Sequence, residues 1–129
     1  MPKTIRPSLF VETIGDVTVI GFAGPALVAE EAVREIADQL SDLAEGLGPV
    51  KLLLDFRNVQ FMSGRMLAVL VWIARKIERG EGSTKLCGIT PHLLAHFEIT
   101  RLHHYFEIYR EPSSALRAFS RQSLSLCAL

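Results

Sequence analysis

The chain is poor in several things that would announce a function. It has two cysteines, Cys87 and Cys127. They stand far apart in sequence and build no close-spaced metal or redox motif. A cytosolic, reduced protein is therefore the expectation. There is no excess of either charge: 14 Lys+Arg stand against 14 Asp+Glu. Direct nucleic-acid binding needs clustered Lys and Arg to neutralise phosphates, so this balance argues against it while leaving room for a local patch. Long apolar runs are missing too. The longest is Met66 to Ala74, nine residues between Arg65 and Arg75. A membrane span needs ~20, so this run predicts a core helix and no membrane partner. The opening Met-Pro-Lys-Thr-Ile-Arg-Pro carries charge but no apolar stretch, and no secretory signal is expected. Repeats and low-complexity segments are absent. What is present is a 129-residue chain, 49% hydrophobic and 22% charged, the length and composition of one folded domain.

Residues 1–7 hold two prolines and two cations and read as a flexible lead-in. Leu9–Ile14 and Val17–Phe22 are β-rich runs joined by Gly15-Asp16, the pattern of a tight hairpin. Gly24-Pro25 closes it. From Leu27 to Leu47 apolar residues recur at Ala29, Val33, Ile36, Leu40, Leu43 and Leu47, one face of a helix ended by Gly46 and Gly48-Pro49. Glu30 and Glu31 suit its positive N-terminus. Val50–Phe56 is a short apolar run bounded by turn residues, as in a strand buried on both faces. Arg57–Met62 reads as a loop. Ser63 is a plausible N-cap for a helix from Gly64 to Arg79. Thr84–Ile89 is a strand, Pro91–Ile99 a short helix, Tyr105–Tyr109 a strand and Pro112–Arg121 a last helix with Leu116 and Phe119 inward. The order β-β-α-β-α-β-α-β-α predicts an α/β domain, a mixed sheet flanked by helices, over residues 8–120. Residues 122–129 are expected to be a flexible tail.

Several ordered pieces resemble the STAS domain, the module of bacterial anti-sigma-factor antagonists and of sulfate-transporter tails. Leu52-Leu53-Leu54-Asp55-Phe56 is similar to the family's strand ending in aspartate. Asn58-Val59-Gln60-Phe61-Met62 is similar to the loop leading to its regulatory site. Leu67 and Leu70 match the apolar positions of the following helix, and Gly80–Gly88 the glycine turn and next strand. Phe97–Ile108 resembles the leucine, threonine-glycine-leucine and closing-strand pattern. The resemblance covers roughly residues 8–120. It implies a cytoplasmic, bacterial regulatory domain, not an enzyme and without cofactor. Such a domain binds an anti-sigma factor or serine-kinase-like protein. In the family a kinase phosphorylates a serine at the start of the second helix and switches binding off. The family's loop usually reads Asp-Ser-Ser-Gly-Leu. Here Ser63-Gly64-Arg65-Met66-Leu67 stands there without a gap. Ser63 falls on the aspartate, Gly64 on the phosphoserine, and Leu67 and Leu70 keep register. The resemblance thus implies that the usual phosphoserine switch is missing. Ser63 remains as a phosphoacceptor one residue early, or simply as a helix cap.

The residues themselves propose sites. Met66, Leu67, Leu70, Ile73, Ala74 and Ile77 form the buried stripe of the second helix. Arg65, Ala68, Trp72, Arg75, Lys76 and Arg79 lie toward its other side. With Phe61 and Met62 of the loop they make a candidate partner-binding face, since Trp and Arg are enriched at binding hot spots. The competing reading packs Trp72 under the first helix or the tail, with Arg75 covering it. The cations of this segment, against the single acid Glu78, would suit an acidic partner. Asp55 and Asn58 are expected to order the loop. His92 and His96 share a helix face, but Leu93 stands where a zincin needs glutamate, and no metal site is expected. Asp55 has no paired base, phosphate loop or nucleophile elbow beside it. Two other readings stay open: a self-assembling STAS scaffold, and a small-molecule binder at the crevice near Asp55 and Ser63.

Overall fold

The computed structural model describes residues 9–45 and 49–128, with side chains described through residue 120. Strands β1 (Leu9–Ile14) and β2 (Val17–Phe22) form the expected hairpin. Gly15 at its tip has φ 62°, the left-handed value that a two-residue hairpin turn demands and glycine supplies without strain. A third strand, β3 (Ala26–Leu27), precedes helix α1 (Glu30–Ala44). Then come β4 (Lys51–Asp55), β5 (Phe61–Met62), α2 (Gly64–Arg79), β6 (Ser83–Cys87), α3 (Pro91–Ile99), a 3-10 turn (Leu102–His104), β7 (Glu107–Tyr109) and α4 (Pro112–Ala128).

The main sheet has the order β1-β2-β4-β6-β7. β1 pairs antiparallel with β2, and the remaining neighbours are parallel. This is the mixed α/β sheet flanked by helices that the element order predicts. Side chains alternate across it. Leu52 and Leu54 of β4 enter one core with Ile20, Phe22, Ile36, Leu40, Leu70, Ile73, Leu93 and Phe97. Leu53 enters the other, with Val17, Val19, Cys87, Ala115 and Phe119. Helices α1, α2 and α3 therefore cover one face and α4 covers the other.

Four sequence expectations need correction. The first helix begins at Glu30, because Ala26–Leu27 is drawn into strand pairing with Phe61–Met62. Its expected end at Gly46 and Gly48, and the inward place of Leu47, lie outside the described residues. Arg57–Met62 is not all loop, since Phe61 and Met62 are β5. The last strand starts at Glu107, because Leu102–His104 close a 3-10 turn first. The last helix runs on to Ala128 instead of stopping near Arg121. The lead-in expected over residues 1–7 lies outside the described residues.

Candidate functional site

The site begins where β4 leaves the sheet. Asp55 accepts hydrogen bonds from the Arg57 backbone N–H (3.1 Å) and, side-on, from Arg57 Nε (2.9 Å to Oδ2). An Arg57 terminal nitrogen lies 2.8 Å from the same carboxylate. Such forked pairing fixes direction as well as charge. Hydrogen bonding to Asp55 holds the Arg57 guanidinium above its ordinary pKa. Gly88 makes room for this turn. Its φ is 71°, and a Cβ there would meet Arg57 Cγ at 2.4 Å and Asp55 Oδ1 at 3.0 Å. Beneath it, burial first and the Asp55 charge second push the Cys87 thiol up to about 12, so Cys87 is a small neutral core group. Asn58 is exposed, and its side chain makes no hydrogen bond among the described residues.

Residues 60–63 hang on the β3 segment. The Gln60 and Phe61 N–H groups donate to the Pro25 carbonyl (2.7 and 2.9 Å), and the Ser63 N–H donates to Leu27 (3.1 Å). Alternation along β5 splits its two side chains. Phe61 points out, 51% exposed, with its ring edge-to-face to His92 at 5.5 Å. Met62 points in, 3% exposed, and joins the core. Met62 was expected on the partner-binding face; strand alternation instead makes it the anchor of the loop. Between Phe61 and α3 opens a shallow groove of about 450 Å³ lined by Gln60, Phe61, Thr90, Pro91 and His92.

Ser63 caps α2. Its Oγ accepts from the Met66 N–H at 3.1 Å, satisfying one of the free donors of the first turn. Gly64 is the first helical residue. It is exposed, and a Cβ on it would meet nothing within 4 Å. The buried stripe of α2 is Met66, Leu67, Leu70, Ile73, Ala74 and Ile77, as its spacing predicts. Arg65, Ala68, Trp72, Arg75 and Arg79 are exposed. Trp72 is 48% exposed, and Lys76, not Arg75, lies over its ring, with Nζ 4.9 Å from the centroid. Lys76 is half-buried because it also reaches α1, donating to Ser41 Oγ at 3.0 Å and Glu45 Oε2 at 2.5 Å. Arg65 pairs loosely with Glu30 at 3.6 Å. Two of the cations thus tie α2 to α1. Val28, 52% exposed and next to the Leu27–Ser63 hydrogen bond, was not legible as part of this surface; only its place after a strand too short for periodicity sets it there.

His103 Nδ1 lies 3.3 Å from the Phe97 carbonyl, and the His103 and His104 rings sit together at 3.9 Å. Among the described residues no three His, Cys, Asp or Glu side chains gather as a metal site would require, and no helix is long and apolar enough to cross a membrane.

Residues 9–115 match the family model described as the STAS domain. Among known proteins the chain is similar to BtrV of Bordetella bronchiseptica, whose name carries the provisional assignment of anti-sigma factor antagonist. The two are 26% identical over 91 residues, 70% of this chain and 74% of the relative. Its fold is similar to that of an anti-sigma-factor antagonist (STAS) domain protein from Planctomyces limnophilus, with TM-score 0.78 and 25% identity, over 87% of this chain and 97% of the other. It is also similar to that of an anti-sigma factor antagonist from Mycobacterium paratuberculosis, with TM-score 0.74 and 20% identity, over 85% and 91%. A matching model across the whole sheet, and the same arrangement of strands and helices in those structures, lead to one assignment: the chain belongs to the STAS domain family.

Proposed function

We propose that the domain is a non-enzymatic regulatory module that binds an anti-sigma factor, of the serine-kinase-like kind, in the bacterial cytoplasm. The docking face is Phe61, Val28 and the outer side of α2 at Arg65, Ala68, Trp72 and Arg75. The observation that carries this reading is the exposed Trp72, flanked along α2 by the small Ala68 and by cations, with Phe61 and Val28 also exposed beside the start of that helix. An apolar centre with a charged rim is the usual anatomy of a protein interface. The likeness to anti-sigma-factor antagonists supports the partner class.

The same reading has no phosphoserine switch. The position at the start of α2 is Gly64, which has no hydroxyl. Ser63 has one, but it is half-buried and already accepts the Met66 N–H. Phosphorylating it would break a cap whose loss costs ~1 kcal/mol.

Incubation with a cognate anti-sigma kinase and ATP, followed by phosphosite mapping, tests this directly. The expected result is no phosphate on the parent and stoichiometric phosphate on Gly64→Ser, whose added side chain has open space. Stoichiometric phosphate on Ser63 of the parent would refute the switchless reading. Calorimetric titration of the same partner should show Trp72→Ala weakened by ~2 kcal/mol or more, as for a hot-spot residue. Unchanged affinity removes this face from the proposal.

A further inference from the structure

The two edges of the sheet are unlike. β7 is three residues long and carries Glu107. Short, charged edges are the usual protection against strand-to-strand association. β1 is six residues long, Leu-Phe-Val-Glu-Thr-Ile, with no lysine, proline or bulge, and its single charge is Glu12. Phe10, Val11 and Ile14 are exposed; Val11 is 57% open to solvent. Among the described residues nothing pairs with the outer side of this strand.

The hairpin register tells which backbone groups point outward. The turn has two residues, so the closing pair, Ile14–Val17, exchanges both hydrogen bonds. Antiparallel ladders then alternate. Phe10, Glu12 and Ile14 turn their N–H and C=O toward β2, while Leu9, Val11 and Thr13 turn theirs out of the sheet. That outward set is symmetric about Val11.

We infer that β1 is a self-pairing edge: two copies of this chain join β1 to β1 antiparallel across a twofold axis through Val11, making one continuous sheet. In that register every outward group is matched. Leu9 meets Thr13 of the second copy, and Val11 meets Val11 of the second copy. Opposed residues share a face, so the register can shift only in steps that keep this parity. The step that centres on Glu12 sets two carboxylates directly opposite, which is repulsive. The step that centres on Phe10 leaves Thr13 without a strand partner. Centred on Val11, Glu12 instead lies opposite the Phe10 ring of the second copy. A six-residue edge buries less than the ~1,200–2,000 Å² of a stable complex, so the dimer is reversible and concentration-dependent. This association uses neither α2 nor the 61–65 segment and stands independently of the proposed docking face.

Sedimentation velocity from micromolar to millimolar concentration tests the inference. The parent should shift from monomer to dimer as concentration rises. Val11→Lys sets two ammonium groups opposite each other and should lose the dimer boundary, with thermal unfolding unchanged because the side chain is exposed. Thr13→Lys, also exposed and outward, should do the same should Val11→Lys not fold. Trp72→Ala should dimerise like the parent. A parent that stays monomeric throughout overturns the inference, and so do lysine variants that dimerise as well as the parent. The register has its own readout. In a Cys127→Ser background, mixed F10C and E12C chains should oxidise to the mixed dimer faster than either alone. F10C linking to itself at the same rate refutes the Val11 centre.

Discussion

Gly88→Ala is the substitution whose consequence the structure sets most sharply. Two costs add. The φ of 71° lies in the left-handed region, where a Cβ costs ~1–2 kcal/mol. The new methyl would also stand 2.4 Å from Arg57 Cγ, 3.0 Å from Asp55 Oδ1 and 3.1 Å from the Arg57 nitrogen. Carbon atoms in good contact sit at ~3.5–4.0 Å. The Arg57 side chain is 64% exposed, so it can swing away, but it then gives up its side-on bonds to Asp55. An exposed pair of this kind is worth ~0–1 kcal/mol. The total is a loss of ~1–3 kcal/mol, read as a lower urea midpoint at unchanged slope. Combining the change with Arg57→Ala separates the costs. That variant has no Cγ, so in its background Gly88→Ala should lose the 2.4 Å clash and keep the ~1–2 kcal/mol of backbone strain together with the milder contacts to Asp55 Oδ1 and the backbone nitrogen of residue 57. The cycle should therefore show ~1 kcal/mol of coupling, above the ~0.5 kcal/mol scatter of independent sites. Additive effects, or a Gly88→Ala protein as stable as the parent, would show that Gly88 does not make room for the Asp55–Arg57 turn.

Three further outcomes follow from the same geometry. Ser63→Ala removes the acceptor for the Met66 N–H and should cost ~1 kcal/mol in chemical denaturation, while Ser63→Asp, another good cap, should keep most of it. Hydrogen bonding from the buried Lys85 holds the Glu107 carboxyl below its ordinary value, with a smaller contribution from Tyr109. A carboxylate depressed in the folded state stabilises above its unfolded value, ~4.3, and loses that contribution as pH falls through the folded value. Acid unfolding curves of Glu107→Gln should accordingly be flatter below pH ~4.3 than those of the parent. With its thiol pushed up to about 12 and fully buried, Cys87 should take up no alkylating label in the native Cys127→Ser protein and react fully once unfolded; native-state labelling would mean that the β6 end opens.

Periodicity carried most of the fold. The α2 stripe has six apolar residues at helical spacing, and the packing agrees residue by residue. The hairpin and α3 follow from punctuation by Gly15 and by Pro91. What failed was shorter than one period. β3 and β5 have two residues each, so no alternation could announce them. Their pairing moves the start of α1 and sends Met62 inward. The place of Lys85 is silent in another way: it is 3% exposed, bonded to Glu107 at 2.7 Å and lying over the Tyr109 and Phe119 rings beneath α4. Its burial depends on partners distant in sequence. Gly88 is likewise silent in the sequence, where a glycine after a strand looks like any turn residue.

The zero net charge, uninformative as a total, becomes a statement about surfaces once the helices are placed. α1 and α2 lie side by side, and the acids of one neutralise part of the other through Glu45–Lys76 and Glu30–Arg65. Both are surface pairs, worth little in stability. Their greater effect is to fix which cations stay available. Lys76 is held against α1 and over Trp72, so it shapes the indole more than it offers charge. Arg75 and Arg79 make no ion pair among the described residues. On the proposed reading a partner therefore meets an indole propped by Lys76, with guanidinium groups toward one end and exposed Phe61 and Val28 toward the other. Apolar anchoring and charge steering then come from separate residues: the anchor sets how long the complex lasts, and the rim sets how fast it forms.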